Sequence, residues 1–126
     1  MSIRAIEHVA IASRDPRKLA KWYIERLKFS FSAEIGTTVY IRDPKGAVVE
    51  FVPAETTPPA AKIRDLGLRH IAFEVDDLDF VVDELSNLDV EFVGERIVLE
   101  GMQLQFFRDP EGSFLHLVKR DRPLPR

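Results

Sequence analysis

The chain has 126 residues, enough for one compact domain or for two small halves that share a core. With 45% hydrophobic and 31% charged residues and a formal net charge of -3, it has the composition of an ordinary globular protein and lacks the basic excess typical of proteins that bind nucleic acid or anionic membranes. No apolar run approaches the roughly 20 residues that span a bilayer, and the N-terminus lacks a signal-peptide core, so a cytoplasmic location is the default expectation.

The first half of the chain is predicted to fold as a strand, a helix and three further strands. Residues 3–13 alternate in polarity, which predicts a strand with His8 on the face lined by small residues. Asp15 followed by Pro16 is a helix-start signal, and apolar side chains at helical spacing predict a helix to Leu27. Three short strands are expected at 29–34, 37–42 and 47–52.

The second half repeats this order after a proline-rich linker at 53–67. A strand is predicted at 69–75 and a helix starting at Asp77. Further strand candidates lie at 90–93, 96–99, 102–108 and 114–119, and a frayed tail at 121–126. The prediction is therefore an α+β protein of two βαβββ modules, 3–52 and 68–120, whose sheets form a curved, partly open barrel-like cleft.

The two halves also repeat their chemistry-bearing residues. The segment beginning His8-Val9-Ala10-Ile11 is matched by His70-Ile71-Ala72-Phe73, and the turn Asp43-Pro44-Lys45-Gly46 by Asp109-Pro110-Glu111-Gly112. Glu50 and His116 each follow the aspartate of their turn by seven residues. A chain that repeats both its turns and its polar residues is best interpreted as a duplication.

All three histidines of the chain stand at these equivalent positions, with Glu50 as the fourth member of the set. The chain has no cysteine, so any metal must be held by histidine and carboxylate. Imidazole and carboxylate suit Zn, Ni, Co, Mn or Fe, and ligands from different strands can hold a divalent ion with positions left open for substrate. Taken singly, each residue is better explained as structural, but the joint placement of His8, Glu50, His70 and His116 favours a metal site.

These features resemble the vicinal oxygen chelate superfamily, which includes glyoxalase I, extradiol dioxygenases and bleomycin- or fosfomycin-resistance proteins. The resemblance covers nearly the whole chain, including the opening strand, the run from Trp22 to Phe29 and both Asp-Pro-x-Gly turns. It implies a glyoxalase-like fold with His8, Glu50, His70 and His116 as metal ligands. Glyoxalase I usually has glutamate where this chain has His116, and Lys28 replaces the usual glycine.

The resemblance is greatest to glyoxalase I, the lactoylglutathione lyase, and implies a metal-dependent lyase or isomerase acting on a small oxygenated substrate chelated to the metal. Glu50 or His116 would then move the proton. One alternative is a non-haem Fe(II) ring-cleaving dioxygenase, although in the extradiol enzymes the carboxylate stands at the position of His116. Another is a non-catalytic, drug-binding resistance protein. The family also implies a homodimer, and the sequence leaves open whether the ligands come from one chain or two.

Other signals are weaker. Arg69 precedes His70, and Arg108 precedes Asp109, so either could meet an anionic substrate, although arginines beside strands are more often solvated. No glycine-rich phosphate loop and no Gly-x-Ser-x-Gly motif is present in the sequence.

Overall fold

A computed structural model describes residues 2–126, and the chain divides into two compact units that join between Pro58 and Pro59. The first unit contains β1 His8–Ser13, α1 Pro16–Leu27, β2 Ser30–Ile35, β3 Thr38–Arg42 and β4 Val48–Pro53. The second contains β5 His70–Glu74, α2 Leu78–Asn87, β6 Glu91–Leu99, β7 Met102–Arg108 and β8 Phe114–Arg120. Both units have the order βαβββ, which confirms the predicted α+β class and the two-module organisation.

Each unit contains one four-stranded mixed sheet with the same topology. The strand orders are β1-β4-β3-β2 and β5-β8-β7-β6, with the first and last strands of each unit paired in parallel and the other pairs antiparallel. In the first sheet Glu50 lies between Ala10 and Tyr40, and in the second His116 lies between Ala72 and Phe106. The duplication seen in the sequence is therefore a duplication of strand register.

In the first unit α1 covers one face of the sheet. Asp15 caps the helix by accepting a hydrogen bond from the Lys18 backbone N–H, and Pro16 occupies the first turn, where it needs no hydrogen-bond partner. The helix buries Tyr23, whose ring lies 5.1 Å from that of Phe51. Because side chains alternate along a strand, Glu50 is placed on the face opposite the one that α1 covers.

Lys28 ends α1 in the left-handed region, with φ of 63°. This is the position where the resemblance expected glycine, which adopts such a conformation without strain. Lys28 adopts the same left-handed conformation, although this conformation is less favourable for a residue with a Cβ than for glycine.

The second unit is buried on both faces of its central strand. Residues 114–118 of β8 are all buried, whereas burial alternates along β4. On the face that carries His116, Leu104, Phe106 and Val118 form a cluster against which Ile63 packs. A residue of the predicted linker therefore contributes to the packing of this sheet.

Three predicted strands differ from the structure. The first strand starts at His8 rather than at residue 3, because its partner β4 starts at Val48, which pairs with His8. The candidates at 90–93 and 96–99 form one strand, β6, with a shift of register between Val93 and Ile97. The Gln105 amide donates to the Gly94 carbonyl at 3.1 Å inside this bulge, so a backbone group that the ladder leaves unpaired is satisfied.

Among residues 2–126 no helix has the length and apolar character needed to cross a membrane.

Candidate functional site

The first unit brings His8 and Glu50 together on the open face of its sheet. His8 Nε2 lies 3.5 Å from Glu50 Oε1, and the Glu50 side chain is only 14% exposed. On the other side of the ring, His8 Nδ1 lies 2.6 Å from Glu7 Oε1. Since the carboxylate can only accept, Nδ1 carries the proton of a neutral His8, and Nε2 presents its lone pair beside Glu50.

The spacing of this pair suits a shared metal ion. Two ligand atoms at about 2.0–2.1 Å from one tetrahedral ion lie about 3.3 Å apart. The observed 3.5 Å between His8 Nε2 and Glu50 Oε1 is close to that value. A histidine whose second nitrogen donates to a carboxylate, as His8 does to Glu7, is also the usual arrangement of a metal-binding imidazole.

The electrostatics of His8 follow from the two carboxylates beside it, those of Glu7 and Glu50. The hydrogen bond to Glu7 is the main cause that raises the pKa of His8 above 6.5, with a further contribution from the charge of Glu50. The hydroxyl of Tyr40 hydrogen-bonds to Glu50, and this bond raises the pKa of Tyr40. Tyr40 therefore donates to the carboxylate that lies beside His8.

The second unit brings His70 and His116 together at the equivalent place. Their ring centroids are 4.4 Å apart, and the Phe106 ring lies 4.9 Å from His116 and 5.4 Å from His70 in edge-on contacts. His70 is exposed, whereas His116 is 7% exposed. The pair thus has one imidazole reachable from solvent and one set into the sheet.

Burial holds His116 in its neutral form. Desolvation is the main cause that lowers the pKa of His116 below 6.5, and the neighbouring His70 lowers it further. His116 Nδ1 lies 3.3 Å from the Leu117 carbonyl, which can only accept, so Nδ1 carries the proton. Nε2 of His116 is left with a lone pair that can bind a metal ion or accept a proton.

The four predicted ligands thus form two pairs, one within each unit. Among residues 2–126 no group of three or more histidine and acidic side chains is gathered in a metal-binding arrangement. The donor set of three imidazoles and one carboxylate nevertheless has the chemistry that first-row divalent ions prefer.

Sequence reasoning missed Tyr40 as a member of the site. The signal was present in the duplication, because Tyr40 stands ten residues before Glu50 and Phe106 stands ten residues before His116. The strand register confirms that both lie directly beside the candidate ligand of their unit. The residue beside the candidate ligand is therefore a tyrosine with a hydroxyl in the first unit and a phenylalanine in the second.

Two βαβββ units with polar pairs at equivalent strand positions define the fold class of the glyoxalase-like proteins. The sequence profile of the Glyoxalase/Bleomycin resistance protein/Dioxygenase superfamily matches residues 5–117. The chain belongs to this superfamily, and the resemblance inferred from its motifs is confirmed at that level.

Relatives extend the match over almost the whole chain. The protein is 30% identical over 128 residues to YwkD of Bacillus subtilis (strain 168), an uncharacterized protein, and the alignment covers 95% of this chain and all of YwkD. A glyoxalase family protein from Enterococcus faecalis has a similar structure, with 26% identity, a TM-score of 0.78, and coverage of 94% of this chain and 99% of that one. The fosfomycin resistance protein FosX of Listeria monocytogenes shares the fold, with 16% identity, a TM-score of 0.74 and 94% of each chain covered.

Proposed function

We propose that the protein is a metal-dependent lyase or isomerase of the glyoxalase I kind, acting on a small substrate that binds the metal through adjacent oxygens. The observation that carries this proposal is the equivalent placement of His8 with Glu50 and of His70 with His116, in which His8 Nε2 and Glu50 Oε1 have the spacing of two ligands at one ion. We propose that all four side chains serve one divalent ion, Zn, Ni, Co, Mn or Fe, in a homodimer.

A bound divalent ion would supply Lewis acidity, which polarises the substrate oxygens and makes an adjacent C–H more acidic. The chain's own residues would then move the proton. Glu50 is the candidate base, because its carboxylate is largely shielded from water and can exchange between metal and proton. His116 is the second candidate, because burial keeps its imidazole neutral and Nε2 available near pH 7.

Tyr40 would support Glu50 in this role. A hydroxyl that donates to one carboxylate oxygen fixes the orientation of the group and leaves the other oxygen free to act. This support has no counterpart beside His116, where Phe106 packs against the ring. The asymmetry favours Glu50 for proton transfer and His116 for binding.

Metal content is the first test. Protein purified without chelator should hold about one divalent ion per chain by elemental analysis, and it should bind the ion again after removal with EDTA. His8→Ala, His70→Ala and His116→Ala should each lose it, with Lys45→Ala as a surface control that retains it. A wild type that holds no metal and binds none on titration would refute the proposal.

Activity is the second test, and its assay is the isomerisation of the hemithioacetal of methylglyoxal and glutathione by the metal-loaded protein. Glu50→Gln should abolish turnover. If His116→Ala keeps the metal and loses turnover, His116 is the proton-transferring group rather than a ligand.

The dioxygenase alternative is supported by one feature, since two histidines and one carboxylate of this set could make a facial triad for Fe(II). Oxygen uptake by the Fe(II)-loaded protein with a catechol panel would support it, and absence of uptake across the panel would remove it. A drug-binding protein without catalysis would instead show thermal stabilisation by ligand in the absence of metal.

A further inference from the structure

We propose that Arg108 binds a carboxylate group of the substrate, so that the natural substrate is an anion with a carboxylate near its metal-chelating oxygens. The chelating oxygens of this substrate rest on the proposed function, whereas its carboxylate is inferred from the second unit alone.

Arg108 is the last residue of β7, and it lies on the same face of the sheet as Phe106, which stands two residues earlier in the strand. Across the β7–β8 ladder it pairs with Phe114, and Phe114 pairs in turn with His70 on β5. His116 is therefore a diagonal neighbour of Arg108, at a separation of about 7–8 Å between such positions. A single small molecule can reach both side chains.

The guanidinium of Arg108 is held in place but unpaired. Its central carbon lies 4.7 Å from the centre of the Phe114 ring, and its Nε is buried without a hydrogen-bond partner. Within residues 2–126 Arg108 forms no ion pair, even though Glu91 is its register partner on β6. The terminal nitrogens are therefore free donors on a cation that packing has already oriented.

The duplication provides an internal comparison. Arg42 stands before Asp43 as Arg108 stands before Asp109, and it ends β3 at the equivalent register position. The guanidinium of Arg42 is already used, since its Nε donates to Ser32 Oγ at 3.2 Å and Nη1 to the Gly46 carbonyl at 2.9 Å. The arginine of the first unit is committed to its own fold, whereas the one in the second unit is not.

A planar cation with free donors matches a carboxylate, because its N–H groups can meet two oxygens at once. A buried guanidinium nitrogen without an acceptor also costs stability, so its retention calls for an explanation. Binding of an anion explains why Arg108 packs against Phe114, on the face of the sheet that carries the histidine pair, and has no internal acceptor.

The test compares two ligands that differ in one charge. The probes are 3,4-dihydroxybenzoate and 3,4-dihydroxybenzamide, which share the vicinal oxygens and differ only in the carboxylate. Binding of each to the Zn-loaded homodimer is measured by calorimetry for the wild type, Arg108→Gln, Arg108→Lys and the matched control Arg42→Gln. Metal content and melting temperature are recorded for the same samples.

The wild type should bind the acid about ten- to hundredfold more tightly than the amide, as expected for a hydrogen-bonded charge pair. Arg42→Gln should keep this ratio and Arg108→Gln should bring it close to one. Arg108→Lys should give an intermediate ratio, since lysine keeps the charge but not the planar fork. An unchanged ratio in Arg108→Gln, or no preference in the wild type, would overturn the assignment.

The same titrations in EDTA separate this proposal from the proposed function. A protein that takes up no metal but still prefers the acid through Arg108 would leave the anion site standing and remove the metal-dependent activity. Metal uptake without a charge preference would overturn the role of Arg108 alone. Failure of the wild type to bind either probe, with or without metal, would also count against the anion site.

Discussion

Two side chains at equivalent positions of the duplication have very different surroundings. Glu50 lies beside a tyrosine hydroxyl and a histidine whose second nitrogen is bound to another carboxylate. His116 lies among aromatic rings, where burial disfavours the charged imidazole. The same strand position therefore carries a carboxylate in one unit and a buried imidazole in the other.

The protonation of His116 should make the metal-free protein less stable in mild acid. Because folding lowers the pKa of His116, the unfolded state takes up the proton first, near pH 6.5. Its contribution to the free energy of unfolding is thus complete above pH 6.5 and is lost as the pH falls towards the folded pKa. Urea unfolding in EDTA at pH 8 and pH 5.5 should show a larger loss for the wild type than for His116→Gln.

His8 should behave in the opposite way and serves as the control. Folding raises the pKa of His8, so its contribution is complete below pH 6.5 and is lost as the pH rises through the folded pKa. His8→Gln should therefore leave the acid loss of the wild type in place or deepen it. Equal slopes for the wild type and His116→Gln would contradict the assignment of a buried neutral imidazole.

Removal of the Tyr40 hydroxyl should weaken metal binding. Tyr40→Phe keeps the ring in its strand but removes the hydrogen bond to Glu50, and loss of such outer partners lowers metal affinity about 10- to 100-fold. Calorimetric titration with Zn measures the effect. Tyr23→Phe removes a hydroxyl from the helix-covered side of the same sheet and should leave the affinity unchanged. Equal affinities for Tyr40→Phe and wild type would exclude this role.

At the scale of elements, each Asp-Pro-x-Gly turn determines where the following strand begins. Asp109 accepts hydrogen bonds from the backbone N–H groups of Glu111 and Ser113 at 2.9 and 3.1 Å, and Gly112 has a φ of 94° that favours glycine. Strand β8 follows directly and carries His116. The turn thus fixes the register at which His116 meets Phe106.

Asp109→Ala should destabilise the protein by about 2 kcal/mol or more, because two backbone donors lose a charged acceptor in a buried setting. Asp43→Ala is the matched control, since Asp43 makes the same two bonds in the more exposed turn of the first unit. Water can replace those bonds, so its cost should be smaller, about 1 kcal/mol. Free energies of unfolding from urea titration measure both, and equal losses would contradict the argument from burial.

The turns also explain why so much of the fold could be predicted from the sequence. Asp15 and Asp77 mark helix starts, and the two turns mark strand ends, by local hydrogen bonds that depend on few residues. The start of β1 could not be read from the sequence, because it depends on where β4 begins to pair with it. The continuity of β6 could not be predicted either, because Gly94 signals a break between two strands. In the structure the strand continues through a bulge, where the Gln105 amide donates to the Gly94 carbonyl.

The candidate site shows the same division. The histidines and Glu50 could be picked out because polar residues repeat at equivalent positions of the chain. The sequence also offered Arg108 as a possible contact for an anion, but the surroundings of Arg108 and of Tyr40 depend on contacts across strands. Whether an arginine is committed to the fold, as Arg42 is, or unpaired, as Arg108 is, follows from the acceptors within its reach. Sequence spacing contains no information on such acceptors.

At the scale of the whole molecule, the proposed homodimer allows one test of how many chains supply each metal. His8→Ala removes a proposed ligand of the first unit and His116→Ala a proposed ligand of the second, so on this proposal neither variant alone should hold metal. If each ion is held by the first unit of one chain and the second unit of its partner, a dimer of one chain of each kind contains one intact set of ligands. We expect mixing of the two variants, after reversible unfolding to exchange chains, to restore about one ion per mixed dimer. Elemental analysis of the mixed dimers, isolated by two different affinity tags, measures it.

A mixture of His8→Ala with Glu50→Gln, both in the first unit, is the control and should restore none. If the first mixture also restores none while the wild type treated in the same way keeps its metal, each ion is held within a single chain.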